Sequence, residues 1–297
     1  MTRLRGPRPS VMAVAGLVLL AFVLAGCSGG GSYVYRWNYF FDSIFSPDNL
    51  ILSGLWLTVF IAVTSQIIGV ILGVLGALGK TAKFLPLRWL ANIYVWFFRG
   101  TPLLVQISLL FYGLSVSKIW GWPVIHAGPI DLAGAVQAGI FALGVNEGAY
   151  MTEIVRAGIL AVDPGQMEAA KSLGMSYRLA MRRIVLPQAA RVIIPPLGNE
   201  FNNMLKTTSL LVIISVPELY VVFSRKQGNA FAPFEFFLAA AVWYLLLTTI
   251  WGVIQARIEE RLARGTPGSG TSERQSLRAR LLGFRAPTAV DGKSGRW

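Results

Sequence analysis

Six apolar runs, each bounded by polar or basic residues, constrain this chain more than any other feature. They cover 11–25, 55–78, 89–114, 132–159, 192–222 and 231–253. A helix needs about 20 residues to cross the hydrocarbon core of a bilayer. Backbone groups in lipid must satisfy one another, so such runs cross as helices or not at all. The pattern predicts an all-α, polytopic transmembrane helical bundle with five core spans plus one N-terminal hydrophobic segment. Composition agrees, since 54% hydrophobic and 14% charged residues are too apolar for an ordinary soluble surface.

The formal net charge of +13 raises the question of nucleic acid. Its distribution argues against that partner, because the basic residues sit at the chain ends and between the apolar runs. Lys80, Lys83, Arg88, Lys171, Arg178, Arg182, Arg183, Arg191 and the basic tail fall on one side of the expected spans. Arg36, Lys118, Arg225 and Lys226 fall on the other. The positive-inside rule then predicts a cytoplasmic N-terminus, if the first segment is uncleaved, and a cytoplasmic C-terminus. With Cys27 and His126 as single copies, neither an internal disulfide nor a Cys/His zinc site can form within one chain. No metal site and no cofactor is expected.

Arg3, Arg5 and Arg8 precede the first apolar run, which ends Leu24-Ala25-Gly26-Cys27. Residues 1–27 therefore read as an anchor or as a lipoprotein-like signal segment. The last four residues resemble a bacterial lipobox, which would make Cys27 a lipidation site. An uncleaved anchor with an incidental cysteine is the alternative. Residues 28–49 read as an external linker, 50–257 as the transmembrane domain, and 258–297 as a basic, disordered cytoplasmic tail.

In the second run Gly69, Gly73, Gly76 and Gly79 recur every three or four residues. Such a small-residue strip lets another helix approach closely, and packing within the chain is the expected use. The same stretch ends Gly79-Lys80-Thr81 but carries Val74 where a phosphate-binding loop needs glycine. Any ATP hydrolysis must then belong to a separate subunit, and no catalytic residue is assigned here.

Between the fourth and fifth runs lies DPGQMEAAKSLG. Asp163 suits an N-cap, Pro164 the first helical position, and Gln166 the third position of a capping-box-like pair. Gly174 suits the left-handed residue after a helix. About ten residues at 1.5 Å rise make a rod of roughly 15 Å, too short to span a bilayer. Alone, this helix could dock in a groove of a partner or lie on lipid.

Glu168-Ala169-Ala170, then Gly174, then Ile184-Val185-Leu186-Pro187 resembles the EAA signature of ABC-importer permeases. The stretches 98–106, 148–174 and 186–210 resemble the polar amino-acid uptake branch of that family. The resemblance covers 50–257 and implies an inner-membrane permease subunit of an ATP-driven amino-acid importer. It implies that Glu168, Ala169, Ala170 and Gly174 form an ATPase-coupling helix. It further implies ABC ATPase subunits, an extracytoplasmic substrate-binding protein and a second, identical or different, permease subunit as partners. The extra N-terminal segment departs from the five-span pattern. A membrane scaffold or signalling protein, or a stand-alone secondary transporter, is the alternative class; the latter favours an internal repeat and a self-contained ion site, neither of which is clear here.

Ionisable groups inside spans default to functional candidates. Glu153 and Arg156, three apart near a span end, read as a salt bridge. Asn199, Glu200, Asn203, Lys206 and Thr208 form a polar cluster beside apolar sequence and are candidates for the substrate path, with interhelical hydrogen bonding as the other reading. Arg99 and Thr101-Pro102 mark an expected break in the third run, because proline removes a helix donor.

Overall fold

The computed structural model describes residues 33–127 and 130–263. Residues 1–27, with Cys27, and most of the expected tail lie outside the described residues. The helices are α1 (Trp37–Phe45), α2 (Asn49–Thr81), α3 (Leu85–Gly100), α4 (Leu103–Val116), α5 (Gly134–Leu160), α6 (Pro164–Ser172), α7 (Tyr177–Ile214), α8 (Leu219–Ala230) and α9 (Pro233–Ala263). A short antiparallel ribbon, β1 (Ile125–Ala127) with β2 (Ile130–Leu132), links α4 to α5.

Two helices, α2 and α9, are long and apolar enough to cross a membrane alone. The pairs α3–α4 and α7–α8 qualify together, bent by 106° and 52°. Helix α5 has 27 residues, which at 1.5 Å rise is about 40 Å. Its mean hydropathy is lowered by Asn146, Glu147, Glu153 and Arg156, which lie inside the run. These five units form the expected helical bundle. Trp56, Ile71, Trp96, Leu245 and Ile250 point outward from it, as suits a surface bathed in hydrocarbon rather than water.

Helices α2 and α5 form the centre. An added Cβ at Gly69 would lie 2.5 Å from Glu147 Cγ, and at Gly73 or Gly76 it would strike Met151 Cβ or Thr152 Oγ1. The glycine strip is thus a close helix–helix contact within the chain. Gly79 turns to Ala91 on α3 instead. The main core joins Ile61 and Ala62 of α2, Ile107 of α4, Ala142 and Leu143 of α5, and Met204, Leu205 and Leu211 of α7. A second cluster packs Ile51, Leu219, Phe223, Phe236 and Ala239 where α2, α8 and α9 meet.

Three expectations need correction. The stretch 28–49 is not only linker, since α1 packs on α9 through stacked Tyr39 and Phe236 and a Trp243 Nε1 bond to Ser43 O of 3.1 Å. Tyr33 OH and the Arg36 N–H also reach Glu235, at 2.5 and 2.6 Å; the aromatic residues that look like linker filling are packing groups. The tail begins later than residue 258, because α9 stays helical to Ala263. The fifth run, expected over 192–222, has wider bounds and a bend of 52°. Helix α7 starts at Tyr177, and the chain breaks at left-handed Ser215, φ 57°, before α8. Glu218 caps α8 through Val221 N and accepts Tyr244 OH at 2.7 Å, so this break is held by α9.

Candidate functional site: a polar cavity and a docking helix

The bend between α3 and α4 exposes carbonyls that helical bonding would otherwise satisfy. Pro102 donates no N–H, and the chain leaves the helical region at Thr101. Gln106 repairs the break: its Nε2 donates to Phe98 O at 2.9 Å, Thr101 O at 3.0 Å and Thr101 Oγ1 at 2.7 Å. Asn146 Nδ2 on α5 donates to Phe98 O and to Gln106 Oε1. The motif FRGTPLLVQ is therefore a broken helix with its own repair group, buried against α5.

The break opens onto a cavity of about 620 Å³, within the usual range of small-molecule pockets, about 300–1,000 Å³. Thr101, Asn146, Glu147, Glu200, Asn203 and Lys206 supply its polar wall. Three residues of the expected cluster, Glu200, Asn203 and Lys206, thus meet at the cavity. Asn199 does not: its Oδ1 accepts Gln255 Nε2 at 3.1 Å, toward α9. Thr208 does not either. It is fully buried at the start of the 3₁₀ end of α7 and donates to Leu205 O. Thr101, expected only as a helix breaker, lines the cavity as well.

Sequence reasoning missed Glu147. It lies near the middle of the fourth run, so the rule that flags ionisable residues in spans could have found it. Its Oε1 accepts Gln66 Nε2 at 3.2 Å. Glu153, by contrast, is the expected salt bridge with Arg156, at 2.8 Å, and it also pairs with Lys80. Lys80 is thereby tied to α5. Among the described residues no cluster of metal-ligating side chains occurs.

Helix α6 follows the end of α5. Asp163 Oδ1 accepts Gly165 N at 2.7 Å, and Pro164 is the first helical residue. Gln166 does not complete a capping box; its side chain accepts Gln188 Nε2 at 3.2 Å and ties α6 to α7. At the other end Gly174 N bonds Lys171 O at 2.9 Å and Met175 N bonds Ala170 O at 3.0 Å. This is a Schellman motif, and Gly174 takes its left-handed position, φ 76°. Ala170 is buried, whereas Glu168, Ala169 and Leu173 are exposed, Leu173 by 82%.

Residues 67–264 match the family of binding-protein-dependent transport system inner membrane components. The chain belongs to that family. As a permease of this kind it is a multi-pass inner-membrane transport subunit, not an enzyme, and its family works with separate ATPase and substrate-binding partners. The arginine transport system permease protein ArgU of Corynebacterium glutamicum is 39% identical over 272 residues, 89% of this permease and 83% of that one. The nopaline transport system permease protein NocQ of Agrobacterium fabrum is 39% identical over 202 residues, 66% and 84% of the two chains. Among solved structures, an amino acid ABC transporter crystallised with histidines matches with TM-score 0.64 and 37% identity, over 73% of this permease and 95% of that chain. The MetNI methionine ABC transporter in an inward-facing form shares the fold, with TM-score 0.58 at 16% identity.

Proposed function

We propose that this permease forms part of the pathway of an ATP-driven amino-acid importer, within residues 50–257, and that α6 couples it to the ATPase. The observation that carries this reading is α6 itself. It is capped at both ends and tied to α7, yet it presents Glu168, Ala169 and Leu173 outward. A short helix with a fixed frame and an exposed face suits docking in a groove. It lies roughly 20 Å along α5 from Glu147, so a push on α6 has a stiff rod to the cavity.

The basic residues around α6 and after α2 support a cytoplasmic side for those loops, with Arg225 and Lys226 of α8 toward the outer side. A second permease subunit, identical or different, completes the pathway in this reading. Nopaline and arginine systems among the relatives support an amino acid or a derivative as the substrate.

The test is reconstitution in vesicles with the ATPase subunit and the external binding protein. ATP-dependent amino-acid uptake that is lost when the ATPase is omitted is the expected result. Uptake driven by an ion gradient through this chain alone overturns the reading.

A further inference from the structure

Helix α1 has three faces. At about 100° per residue, Tyr39, Ser43 and Ile44 fall on one side and Trp37, Phe41 and Phe45 on another, with Asn38 and Asp42 between them. The first side is used inside the chain. Tyr39 stacks on Phe236, buried Ser43 accepts Trp243 Nε1 at its carbonyl, and Ile44 joins the core where α2, α8 and α9 meet. The second side is open: Trp37, Phe41 and Phe45 are exposed, Phe45 by 77%. The Phe41 and Phe45 rings stack at 6.3 Å, and Trp37 meets Phe234 of α9 edge-on at 6.0 Å. Phe234 is exposed as well, so the aromatic surface continues from α1 onto α9. Asn38 and Asp42 are exposed along the flank of this surface.

The place of α1 in the bundle narrows what can cover the open side. Residues 46–48 alone separate it from α2, and Tyr33 and Arg36 just before it hold Glu235 in the first turn of α9. Both α2 and α9 are long and apolar enough to cross a membrane. The contacts of α1 then move from Phe234 and Phe236 to Trp243, about 10 Å further along α9 at 1.5 Å per residue. The helix therefore starts where a span leaves the bilayer and descends beside that span.

We propose that α1 is an interfacial anchor, with Trp37, Phe41 and Phe45 inserted at the boundary between lipid headgroups and acyl chains, and with Asn38 and Asp42 on the watery flank. The side of the membrane rests on the permease reading above; the contact with lipid does not. A protein partner fits this face less well. Protein interfaces carry about one hydrogen bond per 100–200 Å², and this face offers the Trp37 indole N–H as its one polar side-chain group. An apolar body with a polar tip is what the headgroup boundary favours in Trp. The contact is apolar rather than ionic, because Arg36 is engaged within the chain: it donates to Ala230 O and Phe231 O and lies 5.0 Å over the Tyr39 ring. Phe231 is the left-handed residue that closes α8, φ 51°. Through Arg36, α1 thus ties the α8–α9 turn to the bilayer surface.

The experiment uses the full-length chain with Cys27→Ser as background, since Cys27 is its one cysteine. Nitroxide labels on Phe41→Cys, Asp42→Cys and Phe45→Cys are read by power-saturation EPR in phosphatidylcholine vesicles, with oxygen and a water-soluble nickel chelate as relaxants. The labels at 41 and 45 should lie about 5–10 Å below the headgroup level, 45 the deeper, and the label at 42 in water. Adding phosphatidylglycerol should leave these depths unchanged. Labels at 41 and 45 as open to the chelate as the label at 42 overturn the inference. Labels closed to both relaxants overturn it too, because protein then covers that side. Depths that follow the phosphatidylglycerol content overturn the apolar contact. If Phe41→Cys does not assemble, positions 45 and 42 decide. No ATPase, binding protein or amino acid is present, so no outcome bears on the transport reading.

Discussion

Asn146 Nδ2 lies 2.9 Å from Gln106 Oε1, joining α5 to the repaired break between α3 and α4. The two side chains are buried, and they share the Phe98 carbonyl as acceptor. Gln106→Leu removes the donor to Phe98 and Thr101 while keeping nearly the same volume. A buried carbonyl left unsatisfied costs about 1–3 kcal/mol. We expect a lowered thermal midpoint for the detergent-purified complex. Asn146→Ala combined with Gln106→Leu should cost less than the sum of the singles, because the two act on one network. Strict additivity in that double-mutant cycle would remove the network.

The glycine strip supports a second expectation. Gly73→Leu drives a side chain into the backbone and Cβ of Met151, with no flexible group to yield. Overpacking of a tight contact costs about 1–3 kcal/mol or more. Membrane abundance of Gly73→Leu should fall. Gly228→Leu, at a position where an added Cβ meets nothing, should express like wild type. Equal abundance of the two variants would mean that α2 and α5 do not pack as described.

Much of this architecture is legible in the sequence because hydropathy and helix-end chemistry are local. The Thr101-Pro102 break and the Gly174 terminus follow from proline and glycine stereochemistry within a few residues. The cavity is less legible because its wall is assembled from three separate segments. Helical spacing places Asn199, Asn203 and Lys206 on nearly one face, but it cannot see Gln255, 56 residues away, which takes Asn199. Glu147 hides among glycine and alanine, and its partner Gln66 is 81 residues distant. The aromatic stretch after residue 32 reads as linker until α9 is there to receive it.

Asp48 supports a pH dependence. It caps α2 by accepting Ile51 N at 3.0 Å and pairs with Lys226 of α8. Burial pushes its carboxyl up, but the Lys226 ammonium and the Ile51 N–H outweigh that and hold it below its ordinary value of 3.8. A carboxyl lowered on folding adds stability that is present above its unfolded value and lost as the pH falls through the folded one. Wild type should therefore lose stability in that acid range, and Asp48→Asn, which keeps a cap, should lose less of it. Because the group is half-exposed, the ion pair contributes less than about 1 kcal/mol at neutral pH. Asp48→Ala also removes the cap and should cost about 1 kcal/mol more. Identical acid limbs for wild type and Asp48→Asn, in thermal midpoints measured against pH, would remove the ion pair from the account.

The proposed docking role of α6 can be separated from folding with one pair of variants. Leu173 is 82% exposed, so its side chain contributes little to the permease fold. Leu173→Asp should leave abundance and thermal midpoint unchanged, because surface substitutions of this kind shift stability by about 0.5 kcal/mol or less. A charge placed on an apolar contact within a partner's groove is another matter, since a buried unpaired charge is strongly unfavourable. ATPase retained on the purified permease should fall, and uptake with it. Gly174→Asp acts differently. Its residue must keep φ at 76°, where a side chain is strained by about 1 kcal/mol, and it closes the Schellman turn that fixes the end of α6. That variant should lose both some stability and some ATPase. If Leu173→Asp retains a full complement of ATPase and transports normally, α6 does not dock through this face. If it instead disappears from the membrane, Leu173 is a packing residue, and the exposed surface described here is not free in the assembled protein.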